Sequence, residues 1–118
     1  HLQGDECLKK IAQLLQATTL RQNELAVRYG GEEFLLILPH MQQTQAEQLA
    51  KYLLTRIHDL KIAHPASLVS SYVTISLGLV CFTPQVNDQM TDFIHFADQA
   101  LYQAKHHGRN RYVVAATD

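Results

Sequence analysis

Two short runs of strand-forming residues, 25–29 and 33–38, lie on either side of the glycine pair Gly30-Gly31. A type I′ turn needs positive φ at both of its central positions, and glycine adopts that conformation without a steric cost. The spacing therefore predicts a tight β-hairpin with the two glycines in its turn. Pro39 has no amide hydrogen to donate to a sheet, so it is expected to end the second strand.

Helical periodicity appears in three further parts of the chain. Apolar residues recur at helical spacing within the segments 8–15, 46–60 and 93–104. Asp5 is placed to cap the first predicted helix, and Thr44 with Glu47 three residues later forms a capping box that predicts the start of the second. Gly108 follows the third segment at the position where a C-terminal cap belongs.

Two more strands complete the predicted order of elements. Apolar residues alternate with small or polar ones over 73–80, which predicts a strand with one buried face, and residues 111–115 predict a short last strand. The order is helix, hairpin, helix, strand, helix, strand. It favours an α+β fold in which helices cover a mostly antiparallel sheet. The length of 118 residues is that of one domain.

Composition limits the classes of function open to this chain. Hydrophobic residues make up 47% and charged residues 18%, which is ordinary for a globular protein. The formal net charge of −1 provides no basic field for a nucleic-acid backbone, so no nucleic acid is expected as a partner and phosphate binding must be local. Cys7 and Cys81 are far apart and form no CxxC pair, which suits buried thiols in a reducing compartment.

The beginning of the chain and its longest apolar runs bear on its setting in the cell. No apolar run is long enough to span a membrane, and the chain begins with neither Met nor a strand. We therefore expect a cytoplasmic domain that is a piece of a longer protein. A membrane anchor in a neighbouring segment stays open.

Glu32 and Glu33 follow the glycine pair directly. Adjacent strand residues point to opposite faces, so the two carboxylates are expected to serve different neighbours, one of them a divalent metal. Hard carboxylate oxygens suit Mg²⁺, which usually takes one or two protein carboxylates together with water and phosphate oxygens. The alternative is a tight hairpin with two solvated glutamates at its tip, and for Gly-Gly-Glu-Glu alone this alternative is favoured.

Four blocks of the chain resemble one known family. Arg28-Tyr29-Gly30-Gly31-Glu32-Glu33-Phe34 resembles the signature of the GGDEF family in its GGEEF form. Residues 1–8 resemble the family's GHxxGDxxL stretch without its first glycine, and residues 74–78 resemble its TxSxG strand. Residues 97–110 resemble its ADxALYxAKxxGRN ending. The blocks stand in family order along essentially the whole chain.

The resemblance implies a fold and a function. Similar domains have a ferredoxin-like palm of the nucleotide cyclase type, and they condense two GTP molecules into cyclic di-GMP with release of pyrophosphate. It implies Mg²⁺ or Mn²⁺ as cofactor, a homodimer for catalysis, and a bacterial parent protein with a fused sensor or phosphodiesterase domain. The alternative is a non-catalytic module that binds GTP or cyclic di-GMP and regulates a neighbouring domain.

The resemblance also implies roles for single residues. In similar domains the acid at Glu32 binds the metal close to the attacking ribose 3′-hydroxyl, and the acid at Glu33 assists in metal coordination. The resemblance further implies that Asp5 and Leu8 bind the guanine and that Lys105 and Arg109 bind the terminal phosphates. Gly30 and Gly31 lack Cβ atoms, so the bound GTP is expected to approach the backbone there. For Lys105 and Arg109 the alternative is ordinary charge complementation of a helix C-terminus, which in isolation is favoured.

A regulatory position precedes the hairpin. Many similar cyclases carry an RxxD motif five residues before the glycines, where dimeric product binds and inhibits. Here the window is 21–24, in which Arg21 is present and Glu24 replaces the aspartate. The charge survives but the carboxylate moves outward by one methylene group. An inhibitory product site and a loop salt bridge are equally favoured interpretations.

The resemblance does not cover the family's first strand, the helix that follows it, or the first metal-binding Asp. In similar domains that strand lies between the strands that correspond to 33–38 and 73–80. Without it we expect two rows of unpaired backbone groups facing a gap. The hypothesis is that residues 1–118 are a partial GGDEF domain, inactive as a fragment, or that copies exchange strands.

Overall fold

The computed structural model describes residues 2–18, 24–30, 32–62 and 72–116. Three helices and four strands lie in these ranges. They are α1 (Leu2–Thr18), β1 (Leu25–Gly30), β2 (Glu33–Pro39), α2 (Gln43–Asp59), β3 (Ser76–Phe82), α3 (Met90–His106) and β4 (Tyr112–Val114). The predicted order of elements and the predicted hairpin are confirmed.

The four strands form one sheet in the order β1-β2-β3-β4. β1 is antiparallel to β2, whereas β2 and β3 are parallel and β3 and β4 are parallel. The α+β class is confirmed, but the sheet is mixed and not mostly antiparallel. The reason is that α2 and α3 are crossover connections, each of which returns the chain to the end of the sheet where the previous strand began.

The expected gap between the second and third strands is also absent from the described residues. β2 and β3 pair along their full lengths, from Glu33 opposite Ser76 to Pro39 opposite Phe82. The two strands run in the same direction, and their backbones form a continuous parallel ladder. The expectation of two rows of unpaired backbone groups facing a gap is therefore wrong for these two strands.

One face of the sheet is covered by α1 and α2. Ile11 and Leu15 of α1 are buried there together with four residues of α2, namely Ala46, Ala50, Leu53 and Ile57. These positions recur every three or four residues, which is the spacing of one helix face. The helical periodicity seen in the sequence therefore predicted most of the buried face of both helices, although Ala12 of α1 and Leu60 at the end of α2 are exposed.

The other face of the sheet is covered by α3. Phe93, Ala97 and Leu101 pack against Leu35 and Ile37 of β2 and Val80 of β3. The helix approaches the strand very closely at Gly78, where an added Cβ atom would lie 2.8 Å from the Cβ atom of Leu101 and closer still to the backbone of α3. Glycine is required here because any side chain would separate the helix from the strand.

β3 is consequently buried on both of its faces. Ser76, Leu77, Gly78, Leu79 and Val80 are all buried. The prediction of a single buried face is wrong because α3 covers the face that carries the small residues. The strand also begins at Ser76 and not at Val73, although residues 73–75 are buried as well.

The predicted helix N-caps are wrong at both positions. α1 begins at Leu2, so Asp5 lies inside the helix, and α2 begins at Gln43 after the N-cap residue Gln42, whose side chain makes no capping hydrogen bond. The Glu47 carboxylate instead accepts a hydrogen bond of 2.8 Å from the Tyr112 hydroxyl of β4. This bond ties α2 to the last strand. In the part of the chain that the structure describes, no helix combines the length and apolar character needed to cross a membrane.

Candidate functional site

The glycine hairpin is confirmed, but its turn lies one residue later than predicted. Gly30 is the last residue of β1 and pairs with Glu33, so residues 31 and 32 connect the two strands. The register of the ladder shifts between Arg28 and Gly30. The Ser76 amide donates a 3.0 Å hydrogen bond to the Glu32 carbonyl, which attaches the tip of the hairpin to the start of β3. Gly31 lies outside the described residues.

The Glu33 carboxylate is held between two cations. Its Oε1 atom lies 3.2 Å from Lys105 Nζ, and its Oε2 atom lies 3.2 Å from Arg109 NH1. The Glu33 side chain is only 18% exposed, compared with 31% for Lys105 and 51% for Arg109. The structure thus brings together three residues that the sequence analysis singled out, although Arg109 and Glu33 are 76 positions apart.

Lys105 lies in the last turn of α3 and Arg109 in the loop that follows, and we call residues 105–111 the cation turn. Gly108 has φ of +122°, and the next two residues, Arg109 and Asn110, have φ of 63° and 47°. The Arg109 amide donates to the Ala104 carbonyl at 2.9 Å, which satisfies a terminal carbonyl of the helix. The predicted glycine cap is confirmed. The chain then reverses so that the Arg109 side chain reaches β2.

The dipole interpretation of Lys105 and Arg109 agrees with their position but does not account for their partner. Both lie at the C-terminus of α3, where a cation stabilises the helix. Complementation of the dipole needs no carboxylate, yet both side chains reach the single Glu33 carboxylate of β2. A pair of cations converging on one anionic group is an arrangement suited to bind phosphate oxygens.

Tyr29 of β1 interacts with Asp98 of α3. Hydrogen bonding to the Asp98 carboxylate, together with the negative charge of that carboxylate, raises the pKa of Tyr29. Phe34, also in the signature, is buried, whereas Tyr29 and Tyr102 are more than half exposed.

The other predicted site residues are not tested by side-chain contacts. Asp5 and Leu8 lie in α1, but their side chains are outside the described part of the chain. Arg21 is also outside it. Glu24 is half-buried beside Leu25 at the end of β1 that is remote from Glu33. The structure therefore does not bring Glu24 to the hairpin.

Arg111 was not singled out by the sequence analysis as a functional residue. Its Nε atom donates a 3.0 Å hydrogen bond to the Arg109 carbonyl, inside the cation turn. The available signal was its position directly after Gly108-Arg109-Asn110. That signal is weak. The Arg111 side chain reaches the Arg109 carbonyl only because the turn is left-handed, and the sequence pattern alone does not predict this conformation.

Comparison with known proteins identifies the family. A family model described as "Diguanylate cyclase, GGDEF domain" matches residues 1–111. The chain belongs to the GGDEF family. This GGDEF domain resembles the solved "active GGEEF domain of a diguanylate cyclase from Vibrio cholerae", with a TM-score of 0.69 and 29% identity over 100% of this chain and 72% of that one. The predicted fold and family are thereby confirmed.

Several curated proteins are similar in sequence. Diguanylate cyclase VdcA of Vibrio cholerae is 39% identical over 94% of this chain and 32% of its own length. Diguanylate cyclase A of Treponema denticola is 30% identical over 98% of this chain and 30% of its own. The cyclic di-GMP phosphodiesterase PdeR of Escherichia coli is 32% identical over 97% of this chain and 16% of its own. The chain thus spans less than a third of the length of each of these relatives.

Glu32 and Glu33 are the acids of this GGDEF domain that the sequence predicts at a metal. Diguanylate cyclases of the family are generally metal-dependent. Among the described residues no three His, Cys, Asp or Glu side chains are grouped so that they could hold an ion. Two adjacent carboxylates, Glu32 and Glu33, are nevertheless the number that Mg²⁺ usually takes from protein when phosphate oxygens complete its coordination.

Proposed function

We propose that this GGDEF domain is the catalytic part of a diguanylate cyclase, which condenses two GTP molecules into cyclic di-GMP and releases pyrophosphate. The observation that carries the proposal is the convergence of Lys105 and Arg109 on Glu33 beside the glycine turn. This convergence places two cations that can bind phosphate next to the acids of the hairpin, at the start of β2. The names of two similar proteins, VdcA and diguanylate cyclase A, support the same activity.

The proposed roles follow from charge and position. Lys105 and Arg109 bind the terminal phosphates, and Glu33 gives up its contacts with them when the phosphates bind. Glu32 and Glu33 would hold Mg²⁺ or Mn²⁺, which would supply charge neutralisation at the phosphates. Gly30 and Gly31 leave room for the substrate to approach the backbone. The role of the protein is to position the substrate and to neutralise its charge.

The remaining parts of the proposal concern partners and setting. Asp5 recognises the guanine edge and Leu8 lines the base pocket. Two copies of the domain meet, each with one bound GTP, so a homodimer is required. The 3′-hydroxyl of each GTP attacks the α-phosphate of the other and releases one pyrophosphate. We propose that residues 1–118 are part of a GGDEF domain in a larger protein with a fused sensor or phosphodiesterase domain. Its site faces the cytoplasm, where GTP is available.

The test is GTP turnover by the full-length protein with Mg²⁺. Glu32→Ala should reduce cyclic di-GMP formation by at least about a hundredfold. Lys105→Met should raise the KM for GTP by roughly tenfold or more, because it removes a charged hydrogen bond to phosphate. Asp92→Asn removes one charge at the opposite end of α3 and should leave both constants unchanged. Turnover that is unaffected by Glu32→Ala would overturn the proposal.

A second candidate function is a non-catalytic module that binds GTP or cyclic di-GMP and regulates a neighbouring domain. The similarity to PdeR, which is named a phosphodiesterase, favours this candidate. The same assay separates the two functions. Tight GTP binding without product formation by the unmodified protein would support the regulatory module and exclude the cyclase.

A further inference from the structure

The cation turn contains an uncommon run of left-handed backbone. Gly108, Arg109 and Asn110 have φ of +122°, 63° and 47° in succession. Glycine adopts such angles freely, and asparagine tolerates them better than most residues, but arginine is disfavoured there by roughly 1–2 kcal/mol. A left-handed Arg109 therefore needs surrounding contacts that stabilise it.

Arg111 supplies contacts of this kind. Its Nε atom donates a hydrogen bond of 3.0 Å to the carbonyl of the left-handed Arg109. Its guanidinium also lies over Gly108, since an added Cβ atom at Gly108 would be 2.9 Å from Arg111 NH2. A side chain at position 108 would displace the guanidinium.

Arg111 is itself anchored to the sheet. Its carbonyl accepts a 2.9 Å hydrogen bond from the Leu77 amide of β3, directly before β4 begins at Tyr112. The backbone of Arg111 is thus fixed by the central part of the sheet, while its side chain reaches back over the turn. The turn is held at one end by α3, through the Arg109 amide, and at the other end by β3.

We propose that Arg111 is a positioning residue that keeps Arg109 and Asn110 left-handed, so that the Arg109 guanidinium faces the hairpin. The consequence is visible at Arg109 NH1, which lies 3.2 Å from Glu33 Oε2. The proposal rests on the proposed function, because the value of placing Arg109 there is the binding of the terminal phosphates. Arg111 itself binds no substrate in this proposal.

The first test examines the backbone and needs no nucleotide. In the full-length protein, ¹³C chemical shifts and amide–Hα couplings of residues 109 and 110 should report positive φ. Arg111→Met should move both residues toward ordinary right-handed or extended values while leaving the thermal midpoint nearly unchanged, since Arg111 is exposed. Unchanged couplings in Arg111→Met would overturn the proposal.

The second test measures binding of inorganic tripolyphosphate by calorimetry. Arg111→Met should weaken binding by about threefold to tenfold, which corresponds to the loss of one hydrogen bond that organises the site. Asn110→Gly combined with Arg111→Met should recover part of the affinity, because glycine adopts the left-handed conformation at position 110 without help, while the cost at Arg109 stays. Arg56→Met, which removes an exposed arginine from α2, is the matched charge control and should bind as the unmodified protein does.

The outcomes separate this proposal from its alternatives. If Arg111 touched phosphate directly, Asn110→Gly would not rescue Arg111→Met, and that result would overturn the positioning role. If Arg111→Met bound tripolyphosphate normally while Lys105→Met did not, the inference about Arg111 would fail and the proposed function would stand. If neither variant weakened binding, the phosphate role of the cation turn would itself be wrong.

Discussion

At the scale of single residues, Glu33 is the group on which the two proposed phosphate-binding side chains converge. Each of its oxygens is 3.2 Å from one cation, Lys105 or Arg109. Ion pairs that are partly open to water are worth only about 0.2–1 kcal/mol each. They can therefore be exchanged for contacts with a polyphosphate, which carries several negative charges. Glu33 keeps the two cations in place, and it also competes with an incoming anion for them.

This competition predicts the behaviour of Glu33→Gln. In the presence of a chelator and without divalent ions, the variant should bind inorganic tripolyphosphate about threefold to tenfold more tightly, because the carboxylate no longer competes for Lys105 and Arg109. Isothermal calorimetry measures the affinity, and Asp92→Asn is the control for the loss of one negative charge. Equal or weaker binding by Glu33→Gln would show that Glu33 does not compete for the cations.

At the scale of elements, the packing of α3 on β3 decides where the cation turn lies. Ala97 and Leu101 approach Gly78 so closely that no Cβ atom fits between helix and strand. The C-terminus of α3 is thereby held over the start of β2 and β3, which is where Glu33 and Ser76 pair. The small residue in the strand thus sets the position of functional residues that lie 27 or more positions later in the chain.

Gly78→Ala should therefore destabilise the domain. The added methyl group would overlap backbone and side-chain atoms of α3, and overpacking of a buried site costs typically about 1–3 kcal/mol. Urea denaturation followed by circular dichroism measures this change in the free energy of unfolding. Cys81→Ala alters a half-exposed position of the same strand and should cost less than about 1 kcal/mol. Equal losses in the two variants would argue against close packing at Gly78.

The sequence predicted the helices and strands better than it predicted their tertiary contacts and burial. Helix faces and the hairpin follow from periodicity and turn chemistry, which are local properties. The capping box is wrong because α2 already begins at Gln43. Glu47 bonds instead to Tyr112, a residue 65 positions away that no local pattern includes. The strand around Gly78 was assigned one buried face because Ser76 and its neighbours are small or polar. Small residues also suit a face on which a helix packs closely, and only the tertiary arrangement separates these cases.

At the scale of the whole molecule, the candidate site lies at one end of the sheet. Glu33 is at the start of β2, and because α3 runs back along the sheet its last turn returns to that same end. Residues so far apart in sequence cannot be paired from spacing alone. The family resemblance supplied the proposed roles of Glu33, Lys105 and Arg109, whereas the proposed role of Arg111 comes from the geometry of the turn.

Glu24 lies at the opposite end of the sheet. It precedes Leu25, which pairs with Ile37 near the end of β2, whereas the hairpin closes at Gly30 and Glu33. Six strand residues separate the two ends, a distance of about 20 Å at 3.3–3.4 Å per residue. A ligand bound at Glu24 and the predicted partner Arg21 would therefore leave the glycine hairpin of the same chain accessible to GTP.

This separation predicts how the proposed product site would act. Cyclic di-GMP should inhibit GTP turnover by lowering kcat with little change in the KM for GTP, since the two ligands occupy opposite ends of the sheet. Glu24→Ala should relieve the inhibition by about tenfold or more, because it removes a charged hydrogen-bond partner, while uninhibited turnover is unchanged. Glu24→Asp, which restores the RxxD pattern, should strengthen inhibition. Purely competitive inhibition that is insensitive to both variants would show that product binds at the GTP site and not at Glu24.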